Sequence, residues 1–355
     1  MKKADIMSRA VPATAAAGAG APRDEALPEW NLADLYAGMD APEFAADLEK
    51  SMAECRSFAA DYRGKLGSIV RAPDAGARLF AALKRYEAID DLLGRIGSYA
   101  GLLHAGDQSD PQRAKFYGDA HEKLTVATTE LLFFTLELNR IDDALIDAAA
   151  SSPPLDHYKP WLDDIRREKP HQLEDRVEEL FHEKSVTGAS AWNRLFDETM
   201  AALRFKVGDR ELTLAPTLSL MQDADGAKRR QAAEALATTL GANIRTFALI
   251  TNTLAKDKEI SDRWRGFKDI ADSRHLANRV EREVVEALVD AVRAAYPRLS
   301  HRYYRLKARW FGRDALDYWD RNAPLPDTPM RDIGWNEAKE TVLSAYAAFS
   351  PGMAD

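Results

Sequence analysis

Residues 73–100 read PDAGARLFAALKRYEAIDDLLGRIGSYA. Apolar side chains return in this stretch every three or four residues, a spacing that places them on one face of an α-helix. A helix is therefore predicted after Pro73-Asp74, and it continues through the glycine-containing residues 92–105. The positions on its apolar face are Leu79, Leu83, Tyr86, Ile89 and Leu93.

The same spacing predicts helices along most of the chain. Asn31 is interpreted as the N-cap of an early helical turn, with Trp30 packing back onto that turn. Pro111 suits the start of a long helix that runs to about Arg140. Pro153-Pro154 and Lys169-Pro170 bracket a further short helix. The remaining apolar stripes lie in residues 42–62, 173–184, 236–254, 284–292 and 336–349.

One segment departs from the helical pattern. Residues 203–207 alternate apolar and charged side chains, Gly208-Asp209 can turn the chain, and the alternation resumes at residues 212–214. A period of two on both sides of a glycine-containing turn is typical of a β-hairpin. The predicted fold is all-α, with one short β-hairpin near residues 203–214.

The composition limits the classes of function. The 355 residues suggest two or three domains, and a net charge of −8 argues against nucleic-acid binding. Residues 1–26 lack the apolar core of a signal peptide and are interpreted as a flexible arm. No run of about 18 apolar residues is present, so no membrane contact is expected. Cys55 is the only cysteine and cannot form an intrachain disulfide, which favours a cytoplasmic location.

Two of the seven histidines precede a glutamate, in His121-Glu122 and His182-Glu183. A zinc-peptidase helix of the form His-Glu-x-x-His needs a second histidine four residues after the first. A threonine and a valine stand at those positions, so neither pair completes the motif. Both histidines are interpreted as solvated residues on helix surfaces. No catalytic residue and no metal ligand is predicted in this chain.

The stretch Asp223-Ala224-Asp225-Gly226 is similar to part of a calcium-binding loop. An EF-hand needs an oxygen ligand five residues before its glycine, and Met221 stands there. The stretch is therefore interpreted as a turn that caps the following helix.

Residues 301–307, HRYYRLK, are basic and aromatic. Nucleic-acid binding is one interpretation, but a single such patch on an acidic chain argues against it. A second interpretation is an amphipathic helix that buries tyrosine and leucine while its arginines and lysine reach solvent. A third is that Tyr303 or Tyr304 lines a substrate groove, where a phenol can donate a hydrogen bond to a peptide carbonyl. The sequence leaves the last two open.

Several stretches, taken in order, resemble the oligoendopeptidase F and thimet oligopeptidase family of zinc metallopeptidases. WNLADLY at 30–36 is similar to the opening of oligoendopeptidase F chains. WNRLFDET at 192–199, followed by the hairpin, is similar to the junction between the N-terminal and catalytic domains of that group. The set covers the chain from about residue 27 to the end. The other stretches are 229–236, 252–258, YYRLK at 303–307 and YWDRNAPL at 318–325.

The resemblance implies a two-lobed helical fold around a deep channel, in which a zinc ion activates water to hydrolyse short peptides. It implies an N-terminal helical domain at residues 27–200 and the first part of the zinc-peptidase catalytic domain at residues 201–355. In that family the His-Glu-x-x-His helix lies a few tens of residues beyond the position of Asp355. No catalytic or metal-binding residue of the family therefore falls on this sequence, and the substrate-binding residues stay unknown.

On this resemblance the chain is expected to be the truncated front part of such a peptidase, with short peptides as its partners. It is expected to bind no zinc and to be inactive alone. A non-catalytic helical binding or scaffold protein is the alternative. The helices between about residues 226 and 349 are expected to leave an apolar face uncovered, available to the missing C-terminal portion or to self-association.

Overall fold

The computed structural model describes residues 30–326 and 333–354. The chain divides into two compact units, residues 32–326 and residues 1–31 together with 327–355. The predicted arm, residues 1–26, lies outside the described residues. The predicted domain boundary at residue 200 falls inside the larger unit and stays a prediction.

The described part of the chain is helical apart from one hairpin, so the predicted all-α class is confirmed. The strands β1 (Phe205–Val207) and β2 (Arg210–Leu212) lie between α9 and α10. Short 3₁₀ helices occupy Pro153–Tyr158, Lys169–His171, Tyr318–Asp320 and Pro351–Met353. The α-helices are α1 (Pro42–Tyr62), α2 (Leu66–Ile69), α3 (Ala75–Gly106), α4 (Pro111–Thr129), α5 (Leu132–Arg140), α6 (Asp143–Ala150), α7 (Lys159–Arg167), α8 (Asp175–Lys184), α9 (Ala189–Ala202), α10 (Leu214–Leu220), α11 (Gly226–Ala242), α12 (Ile244–Trp264), α13 (Asp272–Ala277), α14 (Arg282–Ala295), α15 (Ser300–Trp310) and α16 (Trp335–Phe349).

The largest core forms where the apolar face of α3 meets α1, α5 and α7. Four of the five predicted positions on that face are buried, and the fifth, Tyr86, stacks on Phe134 with ring centroids 4.9 Å apart. Phe58 of α1 is fully buried and meets Phe134 edge-on at 5.1 Å. Burying one such side chain contributes roughly 1.5–3 kcal/mol. The periodicity of residues 73–100 is thus the pattern that organises the larger unit.

The predicted capped turn at Asn31 is not a helix. Trp30 is 95% exposed, so the interpretation that it packs back on the chain is wrong. The amides of Leu35 and Tyr36 instead donate to the carbonyl of Leu32, which closes a single turn. Tyr36 at the end of that turn is buried against Phe44 and Tyr99, and its hydroxyl donates to Asp47 at 2.9 Å. The first helix begins only at Pro42.

Two predicted long helices are each divided by a short break. The helix expected from Pro111 to Arg140 stops at Thr129, and α5 restarts at Leu132. At the break the amides of Glu130 and Leu131 donate to carbonyls three residues earlier, which tightens the last turn. The stripe of residues 236–254 is divided in the same way at Asn243, between α11 and α12.

The predicted hairpin is confirmed. β1 and β2 are antiparallel, with Phe205 opposite Leu212 and Val207 opposite Arg210. Gly208 has φ of 61°, a left-handed conformation that glycine adopts without a Cβ clash. Phe205 and Val207 are buried against α11, and Lys206 between them is exposed. Asp225 caps α11 by accepting from the amide of Ala227 at 2.8 Å, as the turn interpretation of residues 223–226 requires.

The predicted uncovered apolar face is present. In the larger unit α14 has no buried residue, although its apolar side chains are regularly spaced. The exposed members of that stripe are Val284, Leu288, Val289 and Val292. In the smaller unit α16 likewise exposes Val342, Leu343, Tyr346 and Phe349. Among the described residues, no helix is both long enough and apolar enough to cross a membrane.

Candidate functional site

The helix α15 carries the basic and aromatic residues 301–307, and its end is fixed by Gly312. Gly312 has φ of 66°, and its amide donates to the carbonyl of Arg309. The amide of Arg313 donates to the carbonyl of Ala308 at 2.9 Å. These two bonds form a Schellman motif, which satisfies the last carbonyls of the helix and reverses the chain direction. The chain therefore returns along α15 as the segment that ends in the 3₁₀ helix Tyr318–Asp320.

A buried ion pair joins this segment to α11. Asp320 is fully buried, and one of its carboxylate oxygens accepts from Nε and Nη2 of Arg229 at 3.1 and 2.6 Å. Its second oxygen accepts from Nη1 of Arg313 at 2.7 Å. Arg229 is also buried, and its Nη1 donates to the carbonyls of Asp223 and Ala224. Every buried charge in the cluster thus has partners, which a buried ion pair needs in order not to destabilise the fold.

Lys307 of α15 is a third buried charged residue, beside Arg229 and Asp320. Its Nζ donates to the carbonyls of Arg321 at 2.8 Å and Ala323 at 2.7 Å. Burial, together with the charge of Arg229, lowers the pKa of Lys307, and the Asp320 carboxylate offsets part of that effect. Lys307 therefore ties α15 to the segment that follows the 3₁₀ helix.

Between α15 and this tied segment lies an open cavity of about 370 Å³. Tyr304 lines the cavity and Tyr303 does not, although the two rings meet edge-on at 5.3 Å. Tyr303 is 45% exposed and Tyr304 38% exposed. We call this cavity the α15 pocket; its lining residues are His301, Tyr304, Arg305, Ala308, Asp314, Ala315, Leu316, Asp317, Tyr318 and Arg321.

The α15 pocket offers groups that recognise peptides. Tyr304 and Tyr318 present phenol hydroxyls that can donate to peptide carbonyls, and their rings can cover apolar side chains. Arg305 and Arg321 can bind a carboxylate, and Asp317 can bind an amino group. A cavity that combines aromatic rings with a few polar groups is typical of a small-ligand site.

The interpretation of residues 301–307 as a helix that buries its tyrosines is wrong. The buried members of α15 are Lys307 and Ala308, and both tyrosines are exposed. The third interpretation, a tyrosine beside a groove, is the one that Tyr304 fits. Sequence reasoning missed the buried Arg229 and Asp320. The sequence did contain an indication of their importance, because Arg229, Asp320 and Lys307 all lie in stretches that carry the family resemblance.

The two histidines that precede glutamate are not solvated, as the sequence suggested, but half-buried. His182 Nε2 lies 2.8 Å from Thr128 Oγ1, so that nitrogen is already hydrogen-bonded. Burial, followed by the charges of Arg194 and His182, lowers the pKa of His121. Within residues 30–326 and 333–354, no three His, Cys, Asp or Glu side chains are placed to share a metal ion. These residues do not fit a zinc ion.

Known proteins match this chain along most of its length. The family model described as Oligopeptidase F matches residues 137–205. Oligopeptidase PepF of Bacillus subtilis is 24% identical over 331 residues, which is 90% of this chain and 47% of that protein. Group B oligopeptidase PepB of Streptococcus agalactiae is 26% identical over 72% of this chain and 44% of its own length. The chain is related to the oligoendopeptidase F family.

Solved structures show the same fold. Oligoendopeptidase-F from Enterococcus faecium superimposes with a TM-score of 0.68 and 19% identity, over 84% of this chain and 58% of that chain. PZ peptidase A, solved with an inhibitor, gives a TM-score of 0.65 and 16% identity, over 90% of this chain and 53% of that chain. The all-helical oligopeptidase-like fold is thereby established. The chain spans about half the length of the curated oligopeptidases that it matches.

Proposed function

We propose that this chain forms the peptide-binding part of an oligoendopeptidase F-type zinc peptidase whose substrates are short peptides. The observation that carries the proposal is the similarity to oligopeptidases over nine-tenths of the chain. A cytoplasmic location is part of the proposal, supported by the single, buried Cys55.

The peptide is proposed to lie in the α15 pocket, with its backbone against Tyr304. The hydroxyl of Tyr304 has no hydrogen-bond partner among the residues that the structure describes, and it is free to donate to a peptide carbonyl. Arg305 and Arg321 are placed to receive the C-terminal carboxylate of a short peptide. Recognition of that carboxylate favours peptides with a free end over folded proteins.

The buried ion cluster is proposed to hold the pocket in shape. Asp320 and Lys307 fix the two sides of the pocket through bonds to Arg229 and to the carbonyls of residues 321 and 323. Binding groups that are held rigidly lose less freedom when a ligand binds, which strengthens the affinity.

Hydrolysis itself is not assigned to residues of this chain. The described histidines and carboxylates do not fit zinc, so we propose that zinc-dependent cleavage uses ligands from elsewhere. The chain alone is expected to leave peptides intact. Chelator-sensitive cleavage of a quenched fluorescent peptide by the purified chain would contradict this part of the proposal.

The binding proposal is tested by fluorescence anisotropy of a short labelled peptide with the wild-type chain, Tyr304→Phe and Tyr303→Phe. Loss of one hydrogen bond is worth about 0.5–1.5 kcal/mol, or about twofold to tenfold in affinity. We expect that weakening for Tyr304→Phe only. Tyr303→Phe is the matched control, because it removes the same hydroxyl from the neighbouring exposed residue outside the pocket. Equal weakening in both variants, or no saturable binding, would overturn the proposal.

A further inference from the structure

A second cavity lies between α3, α4 and α9. Its volume is about 280 Å³, the space of roughly nine water molecules at about 30 Å³ each. Lining positions 101, 104, 105 and 108 repeat at helical spacing near the end of α3, and positions 190, 193, 194 and 197 repeat on α9. We call it the α3–α9 cleft; its polar lining includes His104, Gln108, Tyr117, Asn193, Arg194 and Asp197.

His104 is the buried polar group of the cleft. It is only 6% exposed, and its Nδ1 has no hydrogen-bond partner within the described part of the chain. The imidazole lies flat against Tyr117, with centroids 4.9 Å apart and planes 9° apart. A buried polar atom without a partner costs about 1–3 kcal/mol. The His104 ring forms part of the cleft wall, so a ligand in the cleft would lie against it.

Arg194 and Asp197 bring one positive and one negative group to the same rim, three residues apart on α9. The nearest anion to Arg194 is Glu198, whose Oε1 lies 3.6 Å from Nε, so both terminal nitrogens remain available. Gly118 of α4 makes room for that guanidinium, because a Cβ there would lie 3.2 Å from Nη1. Asp197 forms no ion pair or hydrogen bond with any residue for which the structure gives contacts.

We propose that the α3–α9 cleft binds a small zwitterion, a dipeptide with both ends free. Arg194 receives the carboxylate through its terminal nitrogens, since the contact with Glu198 involves Nε, and Asp197 receives the ammonium group. The amide side chains of Gln108 and Asn193 can pair with the peptide unit, and the His104 ring forms part of the wall beside it. The cleft volume is large enough for a dipeptide.

The cleft is separate from the α15 pocket and shares no lining residue with it. A dipeptide is one product that cleavage of a short peptide can release, so the cleft would bind that product. That link to products rests on the proposed function, whereas dipeptide binding by the cleft does not.

Two glycines of α3 provide a matched pair of variants. A Cβ at Gly101 or at Gly94 meets no atom within 4 Å, so a side chain can begin at either position, and a β-branched valine carries the same intrinsic cost to the helix at both. Gly101 lines the cleft and Gly94 does not. Gly101→Val therefore adds a branched side chain to the cleft wall, and Gly94→Val controls for the substitution itself.

The test is calorimetric titration of the full chain with L-alanyl-L-alanine, accompanied by NMR of the His104 ring nitrogens. We expect saturable binding that shifts the His104 Nδ1 signal, and a loss of affinity of at least about tenfold in Gly101→Val and in Arg194→Gln, with wild-type binding in Gly94→Val. The same dipeptide with an acetylated amine and an amidated carboxyl is expected not to bind.

Equal binding of the blocked dipeptide, unchanged affinity in Gly101→Val, or no binding at millimolar dipeptide would each overturn the proposal. The Tyr304→Phe variant distinguishes failure of the cleft proposal from failure of the proposed function. If the dipeptide binds in the cleft, this variant is expected to keep wild-type dipeptide affinity. Dipeptide binding that is lost in Tyr304→Phe and kept in Gly101→Val would place the ligand in the α15 pocket and refute the cleft assignment.

Discussion

Replacing Asp320 with alanine would leave the Arg229 guanidinium buried without its carboxylate. Asp320 accepts three hydrogen bonds, two from Arg229 at 3.1 and 2.6 Å and one from Arg313 at 2.7 Å. Both members of the central pair are almost completely removed from solvent. Breaking a buried pair from one side costs about 3–5 kcal/mol, because the remaining charge keeps its desolvation penalty. That is a large fraction of a typical folding free energy of about 5–15 kcal/mol.

The assay is urea denaturation of the Asp320→Ala variant, monitored by circular dichroism. Asp317→Ala is the matched control, because Asp317 also pairs with Arg313 but is half exposed. An exposed pair is worth less than about 1 kcal/mol. We expect Asp320→Ala to lower the free energy of unfolding several-fold more than Asp317→Ala does. Equal losses in the two variants would refute the reasoning that burial makes this pair important.

Three other features give predictions that can be measured on the same protein. Burial, together with nearby acidic side chains, raises the pKa of the Cys55 thiol to about 12. Cys55 should therefore react with a thiol reagent only after denaturation. Fast reaction of Cys55 in the native protein would contradict this prediction. Because burial, Arg194 and His182 lower the pKa of His121 from its ordinary 6.5, the unfolded chain takes up that proton first as the pH falls. The free energy of unfolding should therefore decrease below about pH 6.5. In urea titrations, the free energy of unfolding of His121→Gln should depend less steeply on pH than that of the wild type. An unchanged pH dependence would contradict this role of His121. Leu288 of α14 is 63% exposed. Leu288→Lys should therefore change the free energy of unfolding by less than about 0.5 kcal/mol and reduce self-association in sedimentation experiments. A large loss of stability would show that α14 is packed.

The local patterns of the sequence predict most of the helices and the hairpin. The stripe of α3, the alternation at residues 203–207 and the Asp225 cap depend on neighbours within one or two turns, so periodicity and capping rules find them. The breaks at residues 130–131 and at Asn243 were missed because the apolar spacing continues on both sides of each break. Spacing alone does not show exposure, since the regular stripe of α14 has the same spacing as a buried one; the uncovered face was expected from the family resemblance.

The candidate site was less predictable, because its key contacts join distant parts of the chain. Asp320 and Arg229 are 91 residues apart in the sequence. A lysine such as Lys307 is expected in solvent, and only the folded chain brings the carbonyls of Arg321 and Ala323 within reach of it. Tyr304 was named together with Tyr303, and the distinction between them depends on which face of α15 meets the segment of residues 314–321.

The central claim, that short peptides bind along α15, is tested most directly by photo-crosslinking. A short peptide with a photoreactive residue would be bound to the full chain, irradiated, and its attachment site mapped by mass spectrometry. We predict attachment within α15 or at residues 314–321, abolished by an excess of unlabelled peptide. Attachment elsewhere, or labelling that unlabelled peptide does not reduce, would contradict the account.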